Sequence, residues 1–143
     1  MNITVISVGK IKEKYFTAAI DEYSKRLSRF AKLNIIEVAD EKIPDNASEK
    51  EMEQIKEKEG NKILAKLPQN SFVVTLCIEG KEHSSEELAK KIADISMTSS
   101  HITFIIGGSL GLSDTVKSKS ALRLSFGKMT LPHQLMRVVL LEQ

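Results

Sequence analysis

Five short apolar runs, rich in β-branched residues and separated by stretches of helical periodicity, constrain this chain more than any other feature. They are "ITVISV" (3–8), "LNIIEV" (33–38), "SFVVTLCI" (71–78), "ITFIIGG" (102–108) and "ALRLSF" (121–126). Most are apolar at nearly every position, as strands covered on both faces must be; a strand with one wet face would alternate. The stretches between them carry stripes instead. In "YFTAAIDEYSKRLSRF", Phe16, Ala19, Ile20, Tyr23, Leu27 and Phe30 fall on one side of a helix. Ser48 with Glu51, and Ser84 with Glu87, form capping boxes, in which each side chain satisfies an amide the helix would leave unpaired. Behind the first box, Met52, Ile55, Ile63, Leu64 and Leu67 mark the apolar side; behind the second, Leu88, Ile92, Ala93 and Ile95 do. A short helix is expected near Ser113. A last one starts in "LPHQLMRVVLLEQ", where Pro132 suits a first turn because it has no amide proton to leave unpaired. Strand and helix thus alternate from end to end. That predicts an α/β fold around a mostly parallel sheet with helices on both faces.

A chain of 143 residues can bury a real core without staples, and residues 1–143 are expected to form one domain. The single cysteine, Cys77, excludes an internal disulfide and is expected to be a small core hydrophobe. Lys and Arg total 21 against 19 acids, so the net charge of +2 does not mark a nucleic-acid binder. Basic residues do gather in "VGKIKEKYF" and "SKRLSRFAK", around the first helix, where a solvated helix face is the simpler explanation. The opening "MNITVISVG" has neither a basic leader nor a long apolar core, and no run approaches the roughly 20 residues that span a bilayer. A cytoplasmic protein with no membrane contact is expected.

In open parallel sheets, ligands sit outside the carboxyl ends of the strands. The last three runs all lead into loops with glycine: "CIEGKEHSS", "IIGGSLGLS" and "SFGKMTLPH". Together they could line one crevice with backbone. A dinucleotide fingerprint would need three glycines after the first strand, yet "VGKIKEKYF" has one, and "GGSLG" is not G-x-G-x-x-G. A P-loop would need Lys before Ser or Thr after its last glycine, which "GLSD" lacks. The crevice therefore suits something other than a pyrophosphate. An adenine ring fits, with its edge read by main-chain groups and its faces by Leu76, Leu110, Met129 and Leu131. His83, His101 and His133 have no ligand partners at close spacing, so no metal site is expected. No serine occupies a nucleophile elbow. On the last helix, His133 and Arg137 lie four apart and share a face beside "SFGKMTL". They are the candidate catalytic residues, opposite an apolar side of Leu135, Met136, Val138, Val139 and Leu140.

The segments "ITVISVGKIKEKY", "VTLCIEGKEHSSEELA", "FIIGGSLGL" and "LSFGKMTLPHQLMRVVLLEQ" resemble, in order and over residues 1–143, the RlmH family of SPOUT-class methyltransferases. The pairing of "IGGSLGL" with "LPHQLMRVVLLEQ" is the specific part. The resemblance implies an α/β-knot fold, with a mostly parallel sheet of five or six strands and a C-terminal trefoil knot. It implies S-adenosylmethionine as cofactor, held by Leu76, Gly107, Gly108, Phe126, Gly127, Lys128, Met129, Thr130 and Leu131. It further implies methylation at N3 of a pseudouridine in large-subunit (23S) ribosomal RNA, on the assembled ribosome, by a homodimer. Members of the family continue past "LLEQ" with an aromatic and basic segment, so a C-terminal tail is expected to be missing from this sequence. Two other readings stay open at this point: a non-catalytic RNA-binding module, and a nucleotide-binding α/β protein with an unusual glycine loop.

Overall fold

The computed structural model describes residues 1–143. Five strands and five helices alternate: β1 (Asn2–Val8), α1 (Lys14–Leu27), β2 (Lys32–Val38), α2 (Glu49–Lys66), β3 (Phe72–Glu82), α3 (Ser85–Ser96), β4 (His101–Ile106), α4 (Asp114–Ser118), β5 (Leu122–Ser125) and α5 (His133–Glu142). Every strand pair is parallel, in the order β2-β1-β4-β3-β5. The expected mostly parallel sheet is thus wholly parallel, and it has five strands.

Alternation along each strand feeds two cores. Val5 of β1, Ile102, Phe104 and Ile106 of β4, and Val74 and Leu76 of β3 face one side. There they meet Leu88 and Ile95 of α3, Leu140 and Leu141 of α5, and the half-buried Ile20, Tyr23 and Leu27 of α1. Ile6 and Val8 of β1, Val73 of β3 and Ile105 of β4 face the other side, against Ile63 of α2 and Val116 of α4. Helices therefore cover both faces, which explains why the strands are apolar without a break.

Local signals placed the helix starts well. Both capping boxes form: Ser48 Oγ accepts from the Glu51 amide at 3.1 Å, and Ser84 Oγ accepts from the Glu87 amide at 3.1 Å. Ser113 caps α4 through the Val116 amide at 3.2 Å. Pro132 stands one position earlier than expected, as the residue that precedes α5.

Two features shape the cavity described below. First, β3 does not stop at Ile78 as its apolar run suggests. It continues to Glu82 after a register shift, Leu76 and Lys81 both pairing with Leu124 of β5. Gly80 therefore lies within a strand and not in a loop. A Cβ there would come within 2.8 Å of the Arg123 and Leu124 backbone, so only glycine fits. Second, β5 lies at the sheet edge, yet α5 packs beside α1 and on β4 near the middle. Residues 126–132 must therefore return across the carboxyl ends of the strands.

Candidate active site

That returning segment, the β4–α4 loop and the bulged part of β3 enclose a cavity of about 640 Å³ at the carboxyl ends of β3, β4 and β5. The volume lies in the range of small-ligand pockets. Leu76, Gly107, Gly108, Phe126, Gly127, Met129, Thr130 and Leu131 all line it, as does His133. Of the residues expected around a ligand, Lys128 is exposed outside the lining, and Arg137 is buried behind it.

The glycines of this loop are set by contacts within the protein. A Cβ on Gly107 would lie 2.8 Å from the Gly111 carbonyl carbon and 3.1 Å from Leu112 Cδ2. A Cβ on Gly108 would meet Val8 Cγ1 at 3.1 Å and Glu59 Oε1 at 3.3 Å. Gly107 is needed so that the loop can fold on itself, closed by the Gly111 amide donating to the Gly108 carbonyl at 3.0 Å, while Gly108 packs tightly against β1 and α2. Gly111 and Gly127 serve the turns through their backbone angles, φ +85° and +126°, where a side chain would be strained. The resulting walls are backbone. The amides of Lys128, Met129, Thr130 and Leu131 donate to no backbone carbonyl of the chain, and stay free for another partner.

Apolar side chains supply the rest of the lining, with Leu76, Ile106, Leu110, Leu124 and Leu131 among them. Met129 is 83% exposed and stands at the rim. Sequence reasoning missed the charged edge. Lys117 of α4 donates to Glu79 of the β3 bulge at 2.5 Å, and Lys56 of α2 also reaches the cavity. The Lys117 ammonium is the main reason that the Glu79 carboxyl sits below its usual value. Nothing local in the sequence brings α2, α4 and the bulge together. Cys77 is another difference. It is half-buried and lines the cavity instead of the core, and burial pushes its thiol up, so it stays protonated.

His133 and Arg137 do share a face of α5, but that face also carries Leu140 and Leu141 and points inward. Arg137 is 2% exposed. Its guanidinium donates to Glu37 Oε2 at 2.6 Å, to the Val8 carbonyl at 3.1 Å and to the Gly9 carbonyl at 2.7 Å. It therefore ties α5 to the ends of β1 and β2 and does not line the cavity, where the expected catalytic residue would have to reach. His133 stands one turn earlier, where a Cβ on Gly9 would lie 3.5 Å from its Cε1. Burial, and then the Arg137 charge, hold its pKa below the usual 6.5, against a smaller opposing pull from Asp40. At neutral pH the ring is an uncharged imidazole, and its buried Nδ1 has no partner.

The other histidines lie apart. His101 Nε2 pairs with Thr4 Oγ1 at 2.8 Å, and His83 Nδ1 lies 3.2 Å from the Lys81 carbonyl oxygen. No group of three His, Cys, Asp or Glu side chains is placed to hold a metal ion. No helix is long and apolar enough to cross a membrane.

A family model described as "Predicted SPOUT methyltransferase" matches residues 1–143. Curated relatives named ribosomal RNA large subunit methyltransferase H are similar throughout. The protein of Clostridium botulinum (strain Kyoto / Type A2) is 63% identical, and that of Clostridium novyi (strain NT) is 61% identical. Each alignment covers 100% of this chain and 91% of the relative. The same name belongs to a Clostridioides difficile (strain 630) protein at 59% identity, with the same coverage. The chain belongs to the SPOUT methyltransferase family, and its fold is the α/β knot of that family.

Proposed function

We propose that this protein transfers a methyl group from S-adenosylmethionine to N3 of a pseudouridine in large-subunit (23S) ribosomal RNA, on the assembled ribosome. The observation that carries the reading is the cavity itself: Met129, Thr130 and Leu131, whose amides donate to no backbone carbonyl, line the same space as Leu76 and Leu110. Such a wall reads the edge and faces of an adenine ring and needs no phosphate contact. The ribosomal substrate is supported by relatives of that name at 59–63% identity, and the pseudouridine by the resemblance of the whole chain to the RlmH family.

When bound, the cofactor supplies a sulfonium methyl already activated toward nucleophiles. The chain must hold it in line with the attacking nitrogen and keep water away. Leu76, Gly107 and Gly108 form one side of the holding site, and Phe126, Gly127, Met129, Thr130 and Leu131 the other. The nitrogen that gains the methyl must lose its proton. The neutral imidazole of His133 is the candidate base, because it can accept that proton at the cavity wall. Lys128, exposed on the returning segment, is the cation available to stabilise the developing anion. Arg137 acts through α5, by fixing His133 one turn away. The enzyme works as a cytoplasmic homodimer.

The test is methyl transfer from labelled S-adenosylmethionine to ribosomes purified from a strain lacking the modification, followed by nucleoside mass spectrometry. A methylated pseudouridine in the large-subunit RNA is the expected product. Unmodified RNA from ribosomes that a known relative modifies would overturn the reading.

A further inference from the structure

We infer that the loop between β1 and α1, carrying Lys10 and Lys12, together with Lys14 at the start of α1, is a docking surface for RNA backbone phosphates beside the cavity. The inference rests on the proposed function and adds to it where the RNA lies.

The loop is held on both sides. The Gly9 amide donates to the Val38 carbonyl at 2.8 Å, and the Ile11 amide to Glu37 Oε2 at 3.2 Å. Arg137, from α5, donates to the Val8 and Gly9 carbonyls, and to the same Glu37 oxygen that Ile11 uses. Farther on, the Thr17 amide donates to the Glu13 carbonyl at 3.1 Å as α1 begins. The backbone is thus pinned to β2 and α5, while the side chains of Lys10, Lys12 and Lys14 stay exposed.

None of the three lysines forms an ion pair, whereas Arg26, Lys56, Lys62, Lys117 and Arg137 all do. Glu13 is the only acid among residues 9–14. On α2, by contrast, lysines alternate with glutamates along the helix, and their charges offset locally. The loop also adjoins the chemistry. Gly9 lies against His133, and His133 lines the cavity. A row of unpaired cations on a backbone that adjoins the cavity through Gly9 and His133 attracts a polyanion, and the pinned backbone lowers the entropy lost on binding. Tyr15 follows directly, 66% exposed, with its ring centroid 4.6 Å from that of Phe16. A ring so placed offers a stacking surface to an unpaired base, which favours RNA over an acidic protein.

Three variants test the inference by ribosome binding at several salt concentrations with magnesium held constant. Lys10→Gln/Lys12→Gln/Lys14→Gln should lower the slope of log affinity against log salt by about 2–3, at roughly 0.7–0.9 for each of the three lost phosphate contacts. Lys25→Gln/Arg29→Gln/Lys32→Gln removes equal charge at the other end of α1 and should leave the slope unchanged. Tyr15→Ala should weaken binding about tenfold with no change of slope, because stacking releases no counterions. Binding of S-adenosylhomocysteine should be retained by all three, showing that the cavity is intact. Equal slopes for wild type and the first variant, or equal losses in both triple variants, would overturn the inference. A wild-type protein that binds ribosomes but never methylates them would instead overturn the proposed function.

Discussion

At residue scale, His133 stands where the start of α5, the end of β1 and the cavity meet. Burial and the Arg137 charge keep its imidazole neutral. A group with a lowered pKa keeps its basic form further into acid, so the His-dependent part of the rate should fall only below pH 6.5. His133→Gln should lower kcat about 100-fold, a typical loss for a general base, and should abolish that acid limb in a pH–rate profile. An unchanged limb would assign the proton to another group. Glu59 makes a separate point about stability. It is 5% exposed, accepts from the Glu41 amide at 3.0 Å, and packs against Gly108. Burial raises its pKa above 4.5. Between the unfolded and folded values, the folded chain holds a proton that the unfolded chain has lost. Stability therefore falls as pH rises through that window, and the penalty is complete above it. Glu59→Gln keeps an acceptor for Glu41 and removes the charge, so it should melt higher than wild type at neutral pH. Thermal scans across pH should show the gain vanish below pH 4.5.

At the scale of elements, the β4–α4 loop depends on its own packing. Gly107→Ala would set a Cβ 2.8 Å from the Gly111 backbone, a contact that only backbone movement relieves. The variant should fold, with a loss of about 1–3 kcal/mol for local backbone strain, and should bind S-adenosylhomocysteine more weakly. Denaturant unfolding and calorimetry measure the two effects separately. This loop also shows what could be read from the sequence. Strand runs and capping boxes are local signals, and both appear where they were expected, except that β3 runs on to Glu82. The strand-end rule then led from glycines to the edge of the sheet where the cavity lies. Contacts made at long range left no such trace. The inward turn of Arg137 depends on Glu37, a hundred residues away. The bulge that puts Cys77 and Glu79 in the cavity depends on β5. The knot lay further still from local reasoning, since general topology rules favour unthreaded connections.

At the scale of the whole molecule, α5 raises the question of assembly. Its inner face is used by Arg137, Leu140 and Leu141, yet Leu135, Val138 and Val139 remain only half-buried. A second apolar strip of this kind is best covered by a twofold partner. Light scattering at micromolar concentration should therefore give twice the mass of the 15.9 kDa chain. A monomer that still methylates ribosomes would remove the need for a partner. The central claim, that the strand-end cavity is a methyl-donor site, has a more direct test. Titration calorimetry with S-adenosylhomocysteine should show one site per chain. The same ligand at 100 times its Kd should stabilise the fold by about 2.7 kcal/mol, while NAD and ATP should do neither. Saturable binding of NAD or ATP, with none of S-adenosylhomocysteine, would contradict the account.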